Sequence, residues 1–303
     1  MNRPVLTDYH LHLRPDELGA DPATYHTQAN AERYRAAASE RGIAGLGVSE
    51  HIYRFQQALA IWEHPLWTTF AHDDLDEYCA FVREQTDLRL GIEADFVPRR
   101  EDRIANLLEA RDFDYVVGSV HFISDGAVDM EDYGVWRSGR SVEEVWKRYF
   151  QAVAESARSG LFDIIAHPDL VKYWGPTHPA RRPAGDLRRY YEPTVEAIAE
   201  AGVAVEVSTA GLRKPVQEMY PAPAFLEMCR EASVPVALSS DAHRPEDVGA
   251  DYGRALELFD ELGVSELCVF ERRARRLEQI GATYADATES GPPLAGSSEA
   301  GAR

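Results

Sequence analysis

Cysteine is scarce in this chain of 303 residues: Cys79, Cys229 and Cys268 are far apart and form no C-x-x-C pair. That excludes a disulfide framework and a thiolate zinc site, and makes free thiols in a reducing cytoplasm the expectation. Long apolar runs are missing too. No stretch reaches the roughly 18 residues of a membrane-spanning helix, and the first residues read as an apolar strand, so a basic and apolar secretory leader is not expected. Positive charge is in short supply, with 32 Lys and Arg against 51 Asp and Glu and a net charge of −19. Such a balance disfavours long nucleic acid, which needs a basic surface to displace counterions. It still admits a small anionic substrate, because bound metal ions invert the field inside a cleft.

The chain does have regular alternation. Apolar runs of strand length occur at 5–13, 45–51, 88–96, 114–122, 162–170, 203–209 and 234–243. Amphipathic stretches separate them, among them 30–42, 141–160 and 190–202. Ser141 with Glu144 has capping-box spacing, and Gly42, Gly160 and Gly202 stand where helix C-caps belong. Seven strands alternating with helices predict a parallel sheet, and their even repetition predicts closure into a distorted seven-stranded, TIM-like barrel over residues 1–283. Residues 284–303 belong to a Gly-, Ser-, Pro- and Ala-rich tail with almost nothing apolar, expected to be disordered.

Within this pattern "DYHLHL" stands out, since alternate strand residues share a face and His10 and His12 would project together beside Asp8. Ten histidines would give roughly 0.3 such pairs by chance, so the pair alone decides little. The other histidines decide more. His51, His121, His167 and His243 also fall at or just past strand ends, where parallel barrels carry their active sites. Glu50, Glu93 and Asp241 accompany them. Imidazoles mixed with carboxylates, without thiolates, form the ligand set of Zn, Mn or Fe ions.

Several longer segments carry a resemblance: "DYHLH", "EH" (50–51), "GIEADF" (91–96), "FDYVVGSVHF" (113–122), "ARSGLFDIIAHPDL" (157–170), "STAGLRKPVQEMYPAPAFL" (208–226) and "SSDAHRPEDVG" (239–249). Over roughly 4–270 the chain resembles the polymerase-and-histidinol-phosphatase (PHP) family, in its histidinol-phosphatase branch. The resemblance implies two to three divalent ions. His10, His12, Glu93 and Asp241 would hold the first, Glu93 with His121 and His167 the second, and His51 with His243 the third. The family's usual further ligand, six residues after the second histidine of the pair, falls here on Leu18; Asp16 and Glu17 are the candidate replacements.

The implied activity is hydrolysis of a small phosphorylated metabolite, L-histidinol phosphate, by metal-bound hydroxide, with inorganic phosphate as product. Asp241 or His243 would return a proton to the leaving group, and Arg213, Lys172 and Arg244 would contact phosphate. A PHP-type phosphoesterase acting on nucleotides is the alternative, followed by C–N hydrolysis on a similar barrel and a non-catalytic metal-binding module. The aromatic stretch 53–70 reads as a lid, an interface or a packed loop, "WRSGRS" (136–141) as a substrate-side loop, and the oligomeric state is open.

Overall fold

The computed structural model describes residues 5–17 and 19–280. Leu18 and the tail expected over 284–303 lie outside the described residues. In chain order the first half carries β1 (Leu6–Asp8), α1 (Pro22–Tyr25), α2 (Gln28–Glu40), β2 (Ile43–Val48), α3 (Pro65–Phe70), α4 (Leu75–Gln85), β3 (Arg89–Asp95), α5 (Glu101–Glu109) and β4 (Tyr115–Ser119). The second half carries β5 (Phe122–Ile123), β6 (Gly126–Ala127), α6 (Val142–Arg158), β7 (Ile164–Ile165), α7 (Arg188–Ala201), β8 (Ala204–Ser208), α8 (Pro223–Glu231), β9 (Val236–Ser239), α9 (Tyr252–Leu262), β10 (Glu266–Glu271) and β11 (Ala274–Gln279).

Seven strands pair in parallel in the order β1-β2-β3-β4-β7-β8-β9. The two edges then meet: Leu11 bridges Ala242 in parallel, and the His12 N–H donates to the Ala242 carbonyl at 2.8 Å. The Ser240 N–H donates to Asp8 Oδ1 at 3.0 Å and ties the same seam. The sheet is therefore nearly closed into the expected distorted barrel, with β1 and β9 joined past their ends. The strands are shorter than their apolar runs. β1 ends at Asp8, before both histidines, and β7 keeps only two residues because the chain turns at His167, whose φ is +23°.

Alternation within the strands sorts side chains between barrel and helices. Tyr115, Val117, Ile164, Ala166, Ala204 and Ala237 form one buried cluster inside, while Val205, Val207, Val236 and Leu238 join the larger core under the helices. Helix α6 illustrates how the outer layer holds. Ser141 caps it by accepting from the Glu144 N–H at 3.2 Å, and Val145, Trp146, Tyr149, Phe150, Val153 and Ala157 are buried at helical spacing. Each large apolar side chain there contributes roughly 1.5–3 kcal/mol by leaving water. Gly42, Gly160 and Gly202 adopt left-handed φ values of +69°, +70° and +65° next to helix ends, where a side chain would be strained.

Beyond the seven strands lies an antiparallel hairpin, β10–β11, that sequence reading did not foresee. Its two-residue turn is Arg272–Arg273, both with positive φ (47° and 64°), as a type I′ turn demands. Arginine in place of Asn-Gly hid the signal. The Asp114 carboxylate and carbonyl accept the two turn N–H groups, at 3.2 and 2.8 Å, which pins the hairpin to the start of β4. Cys268 and Phe270 then enter the inner cluster beside Tyr9 and Tyr115. The N-terminal mouth of the barrel is thus plugged with apolar groups, and the polar interior is confined to the opposite mouth.

Tyr115 fits only because β2 and β3 offer glycine. A Cβ on Gly91 would lie 2.3 Å from the Tyr115 ring, and one on Gly47 would lie 2.4 Å from its hydroxyl. Gly91→Ala should therefore destabilise the fold by about 1–3 kcal/mol, the usual cost of overpacking. The change should appear as a lower urea midpoint, partly restored by the added substitution Tyr115→Ala. An unchanged midpoint would show that the ring has room to move.

Candidate metal centre

At the open mouth the strand ends deliver their side chains to one point. His10 and His12 follow β1, Glu50 and His51 follow β2, Glu93 and Asp95 end β3, His121 follows β4, His167 follows β7, and Asp241 and His243 follow β9. Glu93 is the hub, with 1% of its surface exposed. Its Oε2 lies 3.3 Å from His10 Nε2 and 3.7 Å from His12 Nε2, and it makes a very short contact to His51 Nδ1. Its Oε1 lies 3.2 Å from His167 Nε2 and 3.4 Å from His121 Nε2. Asp241 Oδ1 reaches His12 Nε2 at 3.4 Å and His10 Nε2 at 3.8 Å. The His12 ring stacks between His51 and His243 at centroid distances of 4.1 and 4.3 Å. Both His167 (φ +23°) and Asp241 (φ +48°) hold left-handed backbone that is costly for residues with a side chain, a strain typical of functional positions.

The donor set fits divalent cations. His10 Nε2, both nitrogens of His12 and Asp241 Oδ1 are buried without a hydrogen-bond partner. Leaving so many buried polar atoms unmatched costs on the order of 1–3 kcal/mol each unless something else coordinates them. Three overlapping groups have ligand atoms close enough to share an ion: His10, His12 and Asp241; His10, Glu93 and His167; and His12, His51 and His243. Protonation behaviour agrees. Burial opposes charge on His10 and His121, yet the facing carboxylates outweigh it, raising His10 well above the ordinary range and His121 to about 10. For His51, burial and the neighbouring His12 dominate and push it down to about 3. Burial would raise Glu93, but His51, His10 and His121 hold it well below the usual carboxylate range. The cluster is short of positive charge, which metal ions would supply.

Around the donors runs a layer of orienting groups. Glu206 accepts from His10 Nδ1 at 2.7 Å, from the His167 backbone N–H at 2.7 Å and from the Ser239 hydroxyl at 2.6 Å. Asp95 accepts from His121 Nδ1 at 2.8 Å. Glu50 accepts the N–H groups of Leu13 and Arg14, at 2.8 and 3.1 Å, and so fixes the loop after the histidine pair. Sequence reading assigned no role to Glu206 or Asp95. The signal for Glu206 was a lone acid in the apolar strand "VAVEVST", a charge that must be paired if the strand is buried.

The candidates for the third site separate. Asp16 Oδ2 lies 2.8 Å from His243 Nε2 and its Oδ1 lies 3.6 Å from His51 Nε2. Arg54, fully buried, bonds Asp16 and Glu50 together by very short contacts and donates to the Arg14 carbonyl at 2.8 Å. Glu17 is exposed and makes no ion pair or side-chain hydrogen bond among the described residues.

Two clefts meet over the donors. One of about 70 Å³ is walled by Tyr53, Phe122, Asp129, Met130, Tyr173, Lys214 and Tyr220. A wider one of about 550 Å³ is lined by Glu17, Arg213, Arg244 and Asp247, and the two share Asp16, Lys214, Asp241 and His243. Arg213 donates to the Ser240 carbonyl at 2.6 Å and approaches Asp247 at 3.6 Å. Lys214, its neighbour, has no carboxylate within ion-pair distance among the described residues and faces both clefts; sequence reading chose Arg213 and passed over it. Lys172 is not brought to the centre. Its ammonium is held by Asp169 at 2.9 Å, Glu218 at 2.8 Å and the Met219 carbonyl at 2.7 Å, beside a separate cavity. The stretch 53–70 is a packed wall that buries Phe55, Leu66 and Trp67 and lends Tyr53 to the cleft. In 136–141 the Trp136 indole donates to the Val128 carbonyl at 2.9 Å, and the segment lines neither cleft.

The model of the PHP domain matches residues 21–210. A probable histidinol-phosphatase of Deinococcus radiodurans is 33% identical over 265 residues, covering 85% of this chain and 94% of that protein. The histidinol-phosphatase of Bacillus subtilis is 28% identical over 189 residues, covering 58% of this chain and 70% of that protein. Among solved structures, histidinol phosphate phosphatase from Lactococcus lactis, complexed with zinc, L-histidinol and phosphate, superposes with a TM-score of 0.69 at 20% identity, over 89% of this chain and 98% of that one. That last likeness speaks for the fold.

Because Glu206 orients His10 and the turn at His167 together, Glu206→Gln should weaken metal affinity about 10- to 100-fold, the usual effect of losing an orienting carboxylate. Competition with a chromogenic chelator reads it. Unaltered affinity would mean that Ser239 and the strand ends alone set the imidazole.

Proposed function

The chain belongs to the PHP domain family, and on that premise we propose that it is a metal-dependent phosphomonoesterase that hydrolyses L-histidinol phosphate to L-histidinol and inorganic phosphate. The observation that carries the reading is the buried Glu93 carboxylate ringed by five imidazoles at the open mouth of the barrel. His10, His12, Glu93 and Asp241 would hold one ion, Glu93, His121 and His167 a second, and His51, His243 and Asp16 a third. Bound there, such ions neutralise phosphoryl charge and lower the pKa of water toward neutrality, which phosphate monoesters need because their uncatalysed hydrolysis is so slow.

The chain's own groups do the rest. Lys214, with no carboxylate within ion-pair distance among the described residues, lines both clefts and is suited to a phosphate oxygen. Arg244 lines the wider cleft and adds positive charge at its rim. Arg213, bonded to the Ser240 carbonyl, holds the loop that carries Asp241 and lines the wider cleft. Asp241 and His243 sit on the edge shared by both clefts, where a proton returned to the leaving oxygen would come from one of them. Tyr53, stacked on His51 at 4.7 Å, shields the centre from bulk water.

Elemental mass spectrometry and phosphate release test this together. Protein purified without chelator should carry two to three Zn, Mn or Fe ions per chain and prefer L-histidinol phosphate to nucleotides. Chelation should abolish turnover and metal addition restore it. Asp16→Ala should lower the stoichiometry by about one ion per chain, whereas Glu17→Ala should not. A preference for nucleotides would favour the alternative substrate class, and a chain that takes up no ion would overturn the reading.

A further inference from the structure

One carboxylate in the smaller cleft has no part in the machinery described above. Asp129 follows the short β5–β6 hairpin, and its place is rigid. The Val128 N–H donates to the His121 carbonyl at 2.9 Å, and the indoles of Trp136 and Trp174 both donate to the Val128 carbonyl, at 2.9 and 2.7 Å. So held, Asp129 lines the cleft together with Phe122, Met130 and Tyr173. Its Oδ1 is buried and has no hydrogen-bond partner. Among the described residues no Lys, Arg or His lies within ion-pair distance of it, and it belongs to none of the groups able to share a metal ion.

A desolvated carboxylate without a partner is costly, and beside a phosphoryl site it is worse, because it repels the anion the site must bind. Phosphate has its own attractors in the metal donors and Lys214. Asp129 therefore makes physical sense only toward the other end of the substrate. A neutral or anionic leaving alcohol would leave it buried and unmatched, whereas a cationic one would pair with it, with Tyr173 and Tyr220 offering aromatic faces nearby.

The geometry points to Asp129 as the specificity-determining residue of the cleft, pairing with a cationic nitrogen, ammonium or imidazolium, on the alcohol portion of the phosphomonoester. This rests on the phosphomonoesterase reading and adds to it a residue that selects the leaving group by charge.

The test is a selectivity ratio. With the metal-loaded enzyme, kcat/KM is measured for L-histidinol phosphate, 2-aminoethyl phosphate, 2-(imidazol-4-yl)ethyl phosphate and p-nitrophenyl phosphate. Asp129→Asn should lower the ratio of L-histidinol phosphate to p-nitrophenyl phosphate about 10- to 100-fold, as loss of one charge-assisted pair predicts, and Asp129→Glu should recover part of it. Whichever of the two single-cation esters loses most against p-nitrophenyl phosphate identifies the nitrogen. Metal content per chain is measured on each variant, and a drop in it would overturn the proposal by making Asp129 a ligand. An unchanged ratio overturns it while leaving the histidinol phosphate reading intact. A wild-type enzyme that favours 2-aminoethyl phosphate over L-histidinol phosphate would do the reverse, keeping Asp129's role and overturning that substrate. Turnover of none of the four would overturn both.

Discussion

Everything at the open mouth of this barrel depends on one buried carboxylate. Glu93 sits where five imidazoles converge, too deep for water to screen it. Like groups packed so closely repel when charged and leave buried atoms unmatched when neutral, so the arrangement is unstable in chemical terms without cations. The protein does not resolve this by pairing each imidazole separately. Instead the second ring nitrogens of His10 and His121 are tied to Glu206 and Asp95, which aims their remaining nitrogens at Glu93. Orientation is settled by carboxylates on the far side of the rings, as in metal centres generally.

The fold makes so polar a centre affordable by separating it from the apolar interior. Strand alternation puts Gly91, Glu93 and Asp95 on one face of β3 and, in register beside them, Tyr115, Val117 and Ser119 on one face of β4. Along each strand the inward positions therefore run from apolar at the plugged mouth to polar at the open one. The β10–β11 hairpin supplies Cys268 and Phe270 to the plugged end, so the apolar layer is complete without any contribution from the catalytic end. Stability and chemistry are placed at opposite ends of the same seven strands, as parallel barrels allow.

What was legible in the sequence follows from that division. The strand-end motifs are local: "HLH", "EH" and "DAH" place donors within a few residues of an apolar run, and no tertiary knowledge is needed to see that they reach one rim. Residues whose role depends on what lies across the barrel were not legible. Glu206 is a single acid inside a strand, and its partners His10 and Ser239 are distant in sequence. Arg213 and Lys214 are adjacent, and only the conformation of the loop decides that the first bonds the Ser240 carbonyl while the second faces the cleft. For Lys172 the counter-ion three residues away, Asp169, is visible in the sequence, whereas Glu218 and the Met219 carbonyl come from a distant stretch of chain that only the fold brings to it. The hairpin was hidden for a different reason, since an Arg-Arg turn carries none of the usual marks of left-handed backbone.

The loop after the histidine pair shows how a departure from a family pattern is absorbed. The position where the family supplies a further ligand is Leu18, and an apolar side chain cannot serve. Asp16 comes two residues earlier, so reaching His243 and His51 from there requires a tighter path, which Pro15 favours by fixing φ. A short loop carrying a half-exposed carboxylate would ordinarily let it wander, because an exposed ion pair gains little over solvation. Arg54 changes that balance. It is buried, it already needs an anion, and Glu50 supplies only part of what its guanidinium can donate. Asp16 completes that requirement on one oxygen and presents the other to His243. Asp16 is thus held by a cation whose own burial makes it unable to go without an anion, and a third ion, if bound beside His51 and His243, would find that carboxylate already placed by a contact from the strand end carrying His51.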